Sequence, residues 1–152
     1  MIPLGQVKNE NELKKEYLRR YQAHVRKIKR IESELEEIKL MKCYPSIGMG
    51  DGMPHGSNSS DLSNYAAVLD AKERIILREK YLRVKEYQEI SNKIEEMEDD
   101  KEKDVLHYRY IKGLSWWAIA EKMNYSERQI LRYHGSALKN FKLENKDVSE
   151  CQ

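Results

Sequence analysis

The sequence predicts an all-α protein: a long N-terminal helical hairpin followed by a C-terminal helix-turn-helix module. Three observations lead there. Residues 11–41 and 61–97 contain neither Gly nor Pro, and their apolar residues recur at steps of three and four, the period of a helix with one buried stripe. Between them, residues 43–60 (CYPSIGMGDGMPHGSNSS) concentrate Gly48, Gly50, Gly52 and Gly56 with Pro45 and Pro54. Beyond them, Gly113, Ser115 and Ser126 punctuate the chain at the spacing of short helices.

In the first helix, Tyr17, Tyr21, His24, Ile28, Ile31, Leu35 and Ile38 alternate steps of four and three. That is a heptad seam, suited to packing against another helix. The glycine-rich stretch 43–60 reads as a mobile loop. Ser60 or Asp61 is placed to cap the second helix, whose seam is Leu62, Tyr65, Leu69, Ile76, Tyr87, Ile90, Ile94 and Met97. Lys80 and Arg83 interrupt it, although a long charged side chain can lay its stem along an apolar seam. Each helix must bury its stripe. Two antiparallel helices within one chain satisfy that need, and so does pairing between chains in a homo-oligomer. The expected organisation is a hairpin over 1–100, a helix-turn-helix over 101–143 and a tail over 144–152.

Charge follows that organisation. Residues 1–42 carry 11 positive and 7 negative groups, and residues 61–100 carry 7 and 11. Residues 101–143 carry 9 and 4, a net of +5, which makes the C-terminal module the most basic. The acidic run Glu95–Asp104 separates it from the hairpin and reads as a solvated helix end or hinge near 98–103.

Composition excludes several classes. Charged residues make up 36% and hydrophobic residues 39%, which favours long charged helices over a spherical core. No apolar run reaches the ~18 residues of a membrane span, and MIPLGQVKNE lacks the basic-then-apolar pattern of a signal peptide. A cytoplasmic location with no membrane partner is therefore expected. Cys43 and Cys151 are isolated, and His24, His55, His107 and His134 are scattered. Neither set has metal-ligand spacing, so no metal or cofactor is expected. The GMGDG stretch has no preceding strand and no following Lys-Ser/Thr, so it reads as a connector rather than a phosphate loop. Pairs such as Glu36–Glu37 lie on charged helix faces without an enclosing pocket, so no catalytic residues and no enzyme are expected.

The stretch Tyr110–Phe141 (YIKGLSWWAIAEKMNYSERQILRYHGSALKNF) carries the strongest signal. Gly113 can end one helix, because Gly takes the left-handed conformation without steric cost. The Ser115 and Ser126 hydroxyls can cap the next two. Trp116, Ile119, Ala120 and Met123 share one face of the first; Ile130, Tyr133, Ala137, Leu138 and Phe141 share one face of the second. Helices joined by so short a turn pack against each other and against a preceding helix, the arrangement whose second helix can enter the DNA major groove. With its apolar face turned inward, the last helix leaves Glu127, Arg128, Gln129, Leu131, Arg132, Ser136 and Lys139 outside, beginning at the cap Ser126. These are the candidate DNA-binding residues. Arg offers a planar fork to guanine or phosphate, and Gln can pair with adenine. Trp117 is rotated about 100° from Trp116 and is expected to stay partly exposed.

From Val105 to Phe141 the chain resembles region 4 of bacterial sigma factors, the promoter-reading region. VLHYRY precedes a Ser-initiated helix with the apolar-small pair Ile119–Ala120. A second cap follows at Ser126, and then a helix ending in ALKNF. The whole layout is similar to the phage-encoded regulators of the RinA and ArpU type. That resemblance implies binding to double-stranded DNA, activation of late genes in a bacterial host and contact with RNA polymerase. Small terminase subunits share a layout of helix-turn-helix and long hairpin, which gives DNA packaging as the alternative. Two departures from the sigma pattern stand out: Gly135 inside the last helix and Trp117 where a charge is usual.

Overall fold

The structure, a computed structural model, describes residues 9–43, 58–144 and 146–147. It is helical, with no strand among the described residues. In order come α1 (Glu10–Cys43), α2 (Asn58–Glu95), α3 (Asp100–Leu106), a π-helical turn (His107–Ile111), α4 (Trp116–Met123) and α5 (Glu127–Asn140). The two long helices run where their periodicity placed them. The loop expected over 43–60 lies mostly outside the described residues. One expectation is corrected: α2 already begins at Asn58, so Ser60 and Asp61 fall within the helix rather than at its start.

Packing divides the chain into two units, His24–Leu82 and a second comprising residues up to Ala23 together with Arg83 onward. The first is an antiparallel pair of helices. Lys27 reaches Glu79 at 2.5 Å, and seven residues further along α1 Glu34 meets Lys72, seven residues back along α2, at 2.5 Å; Lys80 reaches Glu32 at 3.3 Å. Ile31, Leu35 and Ile76 form its core, with Leu69 packed against them. Glu79 takes a seam position and is buried. It is satisfied by Lys27 and by His24 Nδ1 at 2.7 Å. The hydrogen bond from Lys27 holds its carboxyl below the usual glutamate value, against the opposing effect of burial.

The second unit gathers the ends of both long helices with everything that follows. Tyr17 and Leu18 of α1, and Ile90, Ile94 and Met97 at the end of α2, share one core with Leu106, Tyr110, Ile111, Ala137, Leu138 and Phe141. That core therefore draws on both sides of the expected boundary at residue 100. Tyr87, assigned to the seam, is 40% exposed and meets the Tyr21 ring at 5.7 Å. Lys14 is buried and donates to the Leu138 carbonyl at 2.8 Å, so a cation from α1 satisfies one of the open carbonyls at the end of α5. The tail contributes too: Asp147 is buried, paired with Lys93 at 2.9 Å, and its carbonyl accepts from Arg20 at 3.0 Å.

The acidic residues of the stretch 95–104 are exposed, as their composition implies, with Glu102 as the exception. Asp99 caps α3 by accepting from the amides of Lys101 and Glu102 at 2.8 and 3.2 Å. Glu102 is buried and turned onto α5, where it accepts from Ser136 Oγ at 2.6 Å and from Asn140 Nδ2 at 2.9 Å. Of the segment expected to hinge, residues from Asp100 onward are helix and anchored in this way.

Gly135 lies within α5, and a Cβ built there meets nothing within 4 Å. Gly135→Ala should therefore stabilise the chain by about 1 kcal/mol through helix propensity alone. A rise in the midpoint of urea or thermal unfolding checks this, and a fall would reveal a constraint on the backbone there.

Candidate functional site

The helix-turn-helix is assembled by local chemistry at each end of its helices. Gly113 has φ +70, the left-handed conformation that stops the π-helical turn. A Cβ there would come within 3.3 Å of the Gln22 side chain, whose Nε2 donates to the Ile111 carbonyl at 2.6 Å. Ser115 Oγ accepts from the Ala118 amide at 3.2 Å, and Ser126 Oγ accepts from the Gln129 amide at 3.2 Å. Between the helices, Asn124 adopts φ 58, and the Tyr125 amide bonds the Ala120 carbonyl at 3.0 Å. This is the Schellman closure of a helix C-terminus, and Asn is the non-glycine residue that best tolerates it.

Val105, Ile119, Ala120 and Ile130 form the core beneath this motif, with Trp116, Met123, Tyr125 and Tyr133 packed around it. Trp116 and Tyr133 are half-buried, where the sequence pattern placed them fully inside. Trp116 lies between the His134 ring at 4.7 Å and the Arg109 guanidinium at 4.3 Å. Arg109 also donates to the Leu114 carbonyl at 2.9 Å. His134, one of the four scattered histidines of the sequence, is buried and shares a 2.8 Å hydrogen bond with the Tyr110 hydroxyl. Burial, together with the nearby positive charges of Lys15, Arg109 and Arg19, pushes its pKa down to about 4. It is therefore neutral at pH 7 and behaves as part of the core.

The residues singled out on the last helix occupy different situations. Arg128, Arg132 and Lys139 are exposed, at spacings that bring them onto one side of α5, and Glu127 stands beside them. Leu131 is 47% exposed. Ser126 is engaged as the cap, Gln129 is half-buried with its Nε2 donating to the Tyr133 hydroxyl at 3.2 Å, and the Ser136 hydroxyl is committed to Glu102. The structure thus brings three cations together and gives Ser126, Gln129 and Ser136 duties within the fold. Sequence reasoning passed over Glu102 and His134, which hold α5 in place; their partners lie 34 and 24 residues away. Asn124 had a readable signal, an Asn two residues before a capping serine.

Trp117 is 63% exposed. Trp117→Ala should change stability by less than about 0.5 kcal/mol, as exposed substitutions do. Trp116→Ala should cost about 2–3 kcal/mol by removing the ring between His134 and Arg109. Parallel thermal melts check the contrast, and equal losses would place Trp117 in the core.

Among the described residues no group of three His, Cys, Asp or Glu could hold a metal ion, and no helix is long and apolar enough to cross a membrane. Fold and site define an all-helical chain that ends in a capped helix-turn-helix with a basic outer face. Residues 55–142 match the model of a family described as "Protein of unknown function (DUF1492)", and the chain belongs to that family. No curated protein and no solved structure matches it.

Proposed function

We propose that this protein is a sequence-specific DNA-binding regulator of phage type that activates late genes by docking α5 in the major groove. One observation carries the reading. The helix whose apolar face is fixed by Ile130, Ala137 and Leu138 presents Arg128, Arg132 and Lys139 on its outside, at the end of the chain where positive charge is concentrated. Lys and Arg on such a helix supply phosphate affinity, and a bidentate Arg supplies base discrimination. The exposed Trp117 is a suitable anchor for a protein partner, for which RNA polymerase is the proposed candidate.

The test is selection of bound fragments from the genome that encodes the chain, followed by footprinting. The expected result is a small set of related sites protected over about one turn of duplex per α5 engaged. Uniform recovery of fragments, or no protection at any salt concentration, would overturn the reading.

A further inference from the structure

Two helices packed on each other bury only the seam between them, and the residues flanking that seam stay open on both sides. In the His24–Leu82 unit each flank is a groove with an apolar floor. One floor is Leu35, Ile76 and Leu77; the other is Ile31, Ile75 and Leu82. Leu77 is 72% exposed and Ile75 42%, so large apolar side chains face solvent on both flanks. Relative to the seam residues Ile31 and Leu35, Glu32 and Glu36 lie one position C-terminal, while Arg30 and Glu34 lie one position N-terminal. At 100° per residue these positions fall on opposite sides of the seam.

The rims differ in sign. In the first groove the Lys80–Glu32 pair is internal, which leaves Glu36 and Glu73 against Lys39. In the second, the Lys27–Glu79 and Lys72–Glu34 pairs are internal, which leaves Arg30 and Arg78. One flank is therefore acidic and the other basic, with Leu77 exposed on the first and Ile75 on the second. A nucleic acid or an anionic surface would satisfy only the basic flank. A second copy of this chain satisfies both.

We infer that the hairpin is a self-assembly element, in which the acidic groove of one copy receives the basic flank of the next. Different surfaces meet at such a contact, so it is heterologous. Each added copy leaves one groove and one flank open until the assembly closes into a ring or extends as a filament. The inference does not depend on what α5 binds.

Sedimentation and light scattering of the full chain test it, with Arg30→Glu/Arg78→Glu on one flank and Glu36→Lys/Glu73→Lys on the other. All four positions are exposed, and circular dichroism of each variant is the check that helicity is kept. The wild-type chain is expected to form species larger than a dimer that dissociate as salt rises. Each variant alone should sediment as one chain of 18.1 kDa. An equimolar mixture of the two variants should assemble again, because the reversed rims match. A wild-type chain that stays monomeric at high concentration, a dimer that survives both variants, or a mixture that stays monomeric would each overturn it.

Discussion

Glu102→Ala should destabilise the chain by about 2–3 kcal/mol, the range for losing charge-assisted hydrogen bonds at a buried carboxylate. Glu102 is only 5% exposed and holds two donors of α5, Ser136 Oγ and Asn140 Nδ2. Truncation removes the acceptor and opens space between α3 and α5. Glu102→Gln keeps the shape and one acceptor oxygen while losing the charge, so it should fall between wild type and Ala. Urea unfolding of the three proteins gives the comparison. A Glu102→Ala variant within about 0.5 kcal/mol of wild type would mean that α5 is held by its apolar face alone.

Stability should fall as pH drops from about 6.5 toward 4, by roughly 2 kcal/mol through His134. The folded-state pKa is lowered to about 4, while the unfolded chain titrates near 6.5. Between those values the unfolded state binds more protons than the folded one. The contribution is therefore complete above the unfolded value and lost as pH falls through the window. The figure is below the full value of the shift because His134, at 7% exposure, keeps some contact with solvent. His107, lowered chiefly by burial, acts in the same direction. Carboxylates such as Glu79, held low by its Lys27 hydrogen bond, lose their contribution only below about 4.5, the lower edge of this window. His134→Gln should flatten the profile between pH 6.5 and 4.5. An unchanged slope in that variant would assign the effect elsewhere.

How much was legible in advance depended on the distance over which each feature is determined. The caps at Ser115 and Ser126 and the stop at Gly113 rest on bonds spanning three residues or on a single backbone conformation, and each could be read directly. The long helices followed from a period sustained over more than thirty residues. The outward position of Arg128, Arg132 and Lys139 followed from that same period once Ile130 and Leu138 were turned inward.

What could not be read depends on remote partners. Glu102 sits in an acidic run that looks solvated, and only the arrival of α5 buries it. His134 looks like a polar helix residue until Tyr110 meets it. Lys14 is one of many N-terminal lysines, and its burial depends on a carbonyl 124 residues away. The π-helical turn at His107–Ile111 has no local marker; such turns arise where packing demands one extra residue per turn. The candidate site was similarly half legible. Ser136 and Gln129 point outward by periodicity, yet their side chains are engaged by Glu102 and Tyr133.

The central claim is that α5 reads DNA through its exposed arginines, and the most direct measurement is binding of a selected site by wild type, Arg128→Ala and Arg132→Ala at one fixed salt concentration. Each substitution should weaken binding by about 1–3 kcal/mol if it removes a bidentate base contact, a loss of roughly fivefold to 150-fold, with folding intact. A residue that touches only phosphate should instead weaken all sequences alike and reduce the salt dependence by about one unit. Unchanged affinity in both variants would contradict this docking.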